Sequence, residues 1–112
     1  MLWAYNIESV MAEKAETILS RGVFNTRLKD FYDLYILSTT QIYRSELFKE
    51  ALNATAIHRG TVNQIKKCDQ ILSQISSNQE IKNMWTKYQK SFDYAKNISF
   101  SEIITTIKNL LT

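Results

Sequence analysis

The chain has 112 residues, enough for one core, and folding at this size buries about two-thirds of the surface an unfolded chain exposes. Hydrophobic residues are 45% and charged residues 22%, which excludes a disordered chain, and a formal charge of +3 is too small by itself to mark a nucleic-acid binder. One cysteine, Cys68, excludes an internal disulfide, and one histidine, His58, leaves no zinc-type ligand set.

The opening MLWAYNIES has neither a basic n-region nor a long apolar run, so it is not a secretory signal. No apolar stretch approaches the ~20 residues of a membrane span, and the expectation is a cytoplasmic protein with no membrane partner. There is no proline, and the two glycines, Gly22 and Gly60, each follow an arginine at the end of an apolar-periodic run. That placement fits helices ending in a left-handed glycine. The fold class that follows is all-α, one compact bundle of five or six helices over residues 1–112.

In chain order, a first helix runs from a cap at Asn6 to about Arg21, with Ile7, Val10, Met11, Ala15 and Ile18 at helical spacing. Trp3 and Tyr5 precede it and are expected to cover either the end of the bundle or a surface on which a further domain docks. A second helix starts near Asn25 or Thr26, both good caps, and continues to about Leu37. A third spans Ser45 to Arg59, with His58 in its last turn where a cation suits the helix dipole. Between Thr61 and Ser77, Ile65, Cys68, Leu72 and Ile75 suggest one shorter helix, with Cys68 as a small core residue. A helix capped by Asn78 carries Ile81, Trp85, Tyr88 and Phe92 on one side and Lys82, Lys87 and Lys90 elsewhere. The aromatics read as core, or as a surface that stacks on bases. The last helix opens with Ser99-Phe100-Ser101-Glu102, a capping-box pattern, and presents Ile103, Ile104, Ile107, Leu110 and Leu111.

Two of these helices mix charge with apolar surface. At about 100° per residue, Ile7, Met11, Lys14 and Ile18 share a stripe, and Ser9, Glu13, Glu16 and Ser20 form the opposite, solvated face. Lys14 among apolar residues is explained either by snorkelling or by a cleft that holds an anion. On the second helix, Leu28, Phe31, Tyr32, Tyr35 and Ile36 make one face, and Asp30, Asp33, Leu34 and Leu37 another. Asp30 and Asp33 are neighbours at i, i+3. Three readings stand side by side: a structural Lys14–Asp pair, acids that complement the helix dipole, and a catalytic pair. Spacing leaves them open.

The string from Asn6 to Leu37, NIESVMAEKAETILSRGVFNTRLKDFYDLYIL, resembles the C-terminal half of the AbiEii/AbiGii-type nucleotidyl transferase toxins. Glu8, Ala12, Glu13, Lys14 and Arg21 match that family's first block, and Arg27, Asp30, Tyr32 and Asp33 match its second. Lys29 stands where the family more often has Arg, which puts a fork-shaped contact there in question. ALNATAIHRGT and MWTKYQKSFDYAKNISFSEI also resemble the family, so the likeness covers essentially the whole chain.

The resemblance implies a helical domain appended to a polymerase-β-type nucleotidyltransferase core, in toxins of bacterial abortive-infection (phage defence) toxin–antitoxin systems. It implies Lys14 on the triphosphate of a nucleoside triphosphate and Asp30 or Asp33 as base or acceptor-orienting group. Arg27 and Arg21 would be further phosphate contacts. The family's Gly-rich nucleotide motif and its paired D-x-D aspartates have no counterpart here: no Asp precedes Asp30. No metal ligands and no cofactor are therefore expected in this chain, and Mg²⁺ and the triphosphate belong to the complete protein. The expectation is a chain inactive alone, completed by an N-terminal core, with a cognate antitoxin and an RNA acceptor as further partners. A second reading is a non-enzymatic helical module that binds a partner protein such as the antitoxin. A third is an RNA-binding domain using Lys82, Lys87 and Lys90.

Overall fold

Helix α1, Ile7–Arg21, is the axis of the molecule in this computed structural model, which describes residues 6–112. The Asn6 carboxamide oxygen accepts the Ser9 N–H at 2.8 Å and starts the helix, and Gly22, at φ +53°, ends it. Met11, Ala12, Ala15, Ile18 and Leu19 are all at most 1% exposed. A helix buried this widely has neighbours on most sides, and the next four helices of the chain all contact it. Trp3 and Tyr5 lie outside the described residues.

A 3-10 turn, Gly22–Phe24, leads to α2, Leu28–Thr40. The sequence reading started this helix at Asn25 or Thr26. Instead the Asn25 carboxamide oxygen accepts the Arg27 N–H at 2.7 Å, a local turn that holds Asn25 outside the helix. The helix also continues one turn past Leu37. The hydroxyls of Ser38, Thr39 and Thr40 all donate to the carbonyls of Tyr35 or Ile36, which satisfies them within this last turn.

Helix α3, Ser45–Arg59, makes the most extensive contact with α1. Glu8 on α1 accepts the Arg44 N–H at 2.7 Å, just before α3 begins. Glu16, two turns later on α1, bonds Arg59 at the end of α3 at 2.6 Å. The two helices therefore run in the same sense, with α2 reversing between them. Glu8 thereby adds an acid to the start of α3, which carries Glu46 in its first turn but has no side-chain cap of its own. Gly60, at φ +71° and ψ +30°, terminates α3 as expected, with the Thr61 N–H reaching the Ala56 carbonyl at 2.8 Å.

Where one helix was expected between Thr61 and Ser77 there are two, α4 at Val62–Lys66 and α5 at Cys68–Ser77. Lys67 breaks them; its N–H is shared between the Asn63 and Gln64 carbonyls, both at 3.2 Å. The described residues therefore hold seven α-helices and no strand, an all-α globule with one helix more than the upper expectation. Asn78 caps α6, Gln79–Ser91, and a 3-10 turn at Asp93–Ala95 leads to α7, Phe100–Leu111. The Ser99–Glu102 capping box forms in both directions.

The apolar stripe of α7, with Ile103 and Ile107 fully buried, closes the core against α2 and α5. Phe31 and Phe100 meet edge to face at 5.5 Å across the α2–α7 contact. Trp85 is 2% exposed and donates its indole N–H to the Ile98 carbonyl at 3.0 Å. It is core, whereas Phe92 stands outside α6 and is exposed. His58 is exposed in the last turn of α3, and Cys68 is half-buried with its thiol pKa pushed up by burial.

The solvated face expected for α1 is only partly solvated. Glu13 and Ser20 reach water, but Glu16 is 2% exposed because α3 covers that side. Burial of this acid is tolerated because both carboxylate oxygens have partners: Arg59 at 2.6 Å and the Thr61 hydroxyl at 2.9 Å.

Candidate functional site

Where α1 and α2 cross, the Lys14 ammonium reaches Asp33 Oδ2 at 3.0 Å and Asp30 Oδ1 at 3.6 Å. Lys14 is partly buried, its side chain 25% exposed, and helical spacing on α2 turns both aspartates toward it. Each acid has a second cation. Lys29 contacts Asp33 Oδ2 at 3.0 Å and Oδ1 at 3.3 Å, and Arg27 Nε lies 3.4 Å from Asp30 Oδ2. Hydrogen bonding to Asp33, followed by its charge, pushes the Lys29 pKa up.

The two acids differ in their surroundings. Asp33 is the more exposed and has both oxygens engaged by lysine. Asp30 is 5% exposed, and its Oδ2 makes no hydrogen bond. Arg27 is within ion-pair distance of that oxygen but not aligned to donate to it. A buried acceptor without a hydrogen bond is uncommon in a folded protein.

Beside this cluster lies a cleft of about 270 Å³ lined by Val10, Glu13, Lys14, Thr17, Arg27, Asp30 and Arg59. Three cations, Lys14, Arg27 and Arg59, thus face it together with two carboxylates, Glu13 and Asp30. The structure brings Lys14, Asp30, Asp33 and Arg27 together. Arg21 is exposed, about 10 Å further along the α1 axis, and does not line the cleft.

Arg59 is the residue the sequence reading missed. Its guanidinium is fixed by buried Glu16 and approaches Glu13 at 3.9 Å. The available signal was an acid on a helix destined for burial, which requires a cation from elsewhere in the chain. Assigning Glu16 to water removed that signal.

Among the described residues no group of three or more His, Cys, Asp or Glu side chains could hold a metal ion. The cleft's carboxylates, Glu13 and Asp30, lie within ion-pair distance of Arg59, Lys14 and Arg27, so they do not offer a free donor set to a resident cation.

The fold and cleft define an all-helical domain with a partly buried ionic cluster at the crossing of two helices. Residues 1–106 match the profile of the nucleotidyl transferase AbiEii toxin family, of type IV toxin–antitoxin systems, and the chain belongs to that family. Comparison with curated proteins and with solved structures returned no match. No helix among the described residues is long and apolar enough to cross a membrane.

Proposed function

We propose that this chain is the helical half of a toxin nucleotidyltransferase site, completed by an N-terminal core that holds Mg²⁺ on its own carboxylates. Lys14, with Arg27 and Arg59, binds the triphosphate of the incoming nucleotide. Phosphoryl-type transfer is promoted mainly by positioning and by compensating charge, which three convergent cations supply. Arg21, outside the cleft, is at most an outer phosphate contact.

Asp30 is the better candidate for the base that accepts the proton of the attacking hydroxyl. The carrying observation is its buried Oδ2, which lacks a hydrogen bond beside a cationic cleft. Asp33 is better suited to positioning, since Lys14 and Lys29 already occupy its oxygens. Mg²⁺ bound by the core supplies charge stabilisation at the transferred phosphorus. In this reading the chain alone transfers nothing.

The test is labelled-nucleotide transfer by the complete protein. Asp30→Asn and Lys14→Ala should each lower the rate at least about 100-fold, in the range of acid–base contributions, while leaving the helical circular dichroism intact. Full activity in Asp30→Asn would remove Asp30 from the chemistry, and transfer by this chain alone would refute the need for a core.

A second reading, a docking module for a cognate antitoxin, is favoured by the apolar side chains left in water, Phe24 at 87% and Ile57 at 64% exposed. It predicts a complex whose affinity is unaffected by Lys14→Ala and weakened by Phe24→Ser.

A further inference from the structure

A groove of about 490 Å³ runs between the start of α2 and the end of α6, lined in part by Arg27, Lys29, Met84, Lys87, Tyr88 and Phe92. Three of these side chains are cationic, and no carboxylate lines the groove. Asp93, the nearest acid in sequence to Phe92, faces a different depression with Lys90 and Lys96.

The rings here are held as a unit. Tyr88 and Phe92 have centroids 4.7 Å apart, and Phe92 and Tyr94 5.3 Å. The Tyr88 and Tyr94 hydroxyls share a hydrogen bond at 2.7 Å, and buried Trp85 stacks on Tyr88 from behind. Burial and that hydrogen bond push the Tyr88 pKa up, so its phenol stays protonated. Despite this support, Phe92 remains 42% and Tyr94 47% exposed. A core would have covered them. A braced aromatic surface edged by cations, of which Lys87 makes no ion pair among the described residues while Lys29 and Arg27 also contact Asp33 and Asp30, has the chemistry of a stacking platform.

We propose that this groove binds single-stranded nucleic acid, with a base stacked on Phe92, which Tyr94 braces from outside the groove lining, and phosphates on Lys87, Lys29 and Arg27. A duplex keeps its bases stacked on one another and can offer only phosphates. Arg27 lines both this groove and the Lys14–Asp30 cleft, so the two are contiguous. The strand's role as acceptor rests on the proposed function; its binding does not.

The experiment is fluorescence anisotropy of the 112-residue chain with a labelled single-stranded RNA oligonucleotide and with the duplex of the same strand. The single strand should bind about tenfold more tightly than the duplex, and its affinity should fall as salt rises. Phe92→Ala should weaken single-strand binding about tenfold and leave duplex binding unchanged. Lys87→Glu should weaken both, whereas Lys66→Glu, the same charge change on α4, should stay within about twofold of the parent.

Circular dichroism establishes that each variant is folded. Absence of saturable binding overturns the proposal, as does equal affinity for strand and duplex, or full affinity in folded Phe92→Ala and Lys87→Glu. A groove that takes up an acidic apolar peptide and leaves RNA free overturns it as well. Strand binding without nucleotide transfer by the complete protein would remove the proposed function and leave the groove.

Discussion

Removing Arg59 tests how the cleft is built. The Glu16 side chain is 3% exposed and has Arg59 as its only countercharge among the described residues, at 2.6 Å. Breaking a buried pair by deleting one partner costs about 3–5 kcal/mol, since the remaining charge is left uncompensated. Two features place Arg59→Ala at the low end. The arginine itself is 42% exposed, and the Thr61 hydroxyl still donates to the other carboxylate oxygen. A cost of about 3 kcal/mol then lowers the urea midpoint by roughly 2 M, taking a denaturant slope of about 1.5 kcal/mol/M. The assay is urea unfolding followed by helical circular dichroism. Adding Glu16→Gln to Arg59→Ala should restore about 1–2 kcal/mol, because the carboxamide keeps the shape and removes the stranded charge. A midpoint drop below about 0.5 M in Arg59→Ala, or additive losses in the double variant, would show that Glu16 does not hold Arg59 in place.

Two other perturbations isolate single terms. Gly60→Ala places a Cβ in open space but on a backbone at φ +71°, so its cost is conformational, about 1–2 kcal/mol. The melting temperature should fall by roughly 5–10 °C; no fall would mean that the α3 terminus relaxes freely. Lys29→Ala removes an exposed i, i+4 pair worth about 0.3–0.5 kcal/mol. Because the Lys29 pKa is raised in the folded state, this stabilisation is complete below the ordinary lysine pKa of about 10.4 and is lost as pH rises through the raised value. The melting difference between Lys29→Ala and the parent should therefore close at high pH, and a difference that persists there would have another origin.

Signals confined to one turn were legible in the sequence. Asn6, Asn78 and Ser99 cap where expected, and Gly22 and Gly60 end helices where expected. Each of these depends on residues three or four positions apart, which a linear reading can see. The errors came from contacts made over long separations or from competing local bonds. Glu16 looked solvated because its partners, Arg59 and Thr61, are more than forty positions away. The start of α2 moved because the Asn25 side chain bonds the Arg27 N–H and not a helical one. The Lys14–Asp33 and Lys14–Asp30 contacts were one of several open readings, since a helical wheel gives direction but not which helix lies opposite. The aromatic groove was blurred for the same reason: Trp85, Tyr88 and Phe92 share a spacing, yet the first is core and the last is exposed at the end of α6.

The three buried acids of this chain separate structure from function within one molecule. Glu8, 6% exposed, accepts a backbone N–H at the start of α3, and Glu16 has both oxygens engaged. Each therefore does a job that folding alone would select. Asp30 is buried to the same degree, yet its oxygens make only long ion-pair contacts, Oδ1 with Lys14 at 3.6 Å and Oδ2 with Arg27 at 3.4 Å, against 3.0 Å between Lys14 and Asp33. If fixing α1 against α2 were the sole purpose, Asp33 and Lys14 would suffice, and an apolar residue at position 30 would avoid the desolvation cost. That comparison makes Asp30→Leu a discriminating variant of the complete protein. A purely structural Asp30 predicts lost stability with activity lost in proportion. A catalytic Asp30 predicts a fold as stable as the parent, or more so, with no nucleotide transfer.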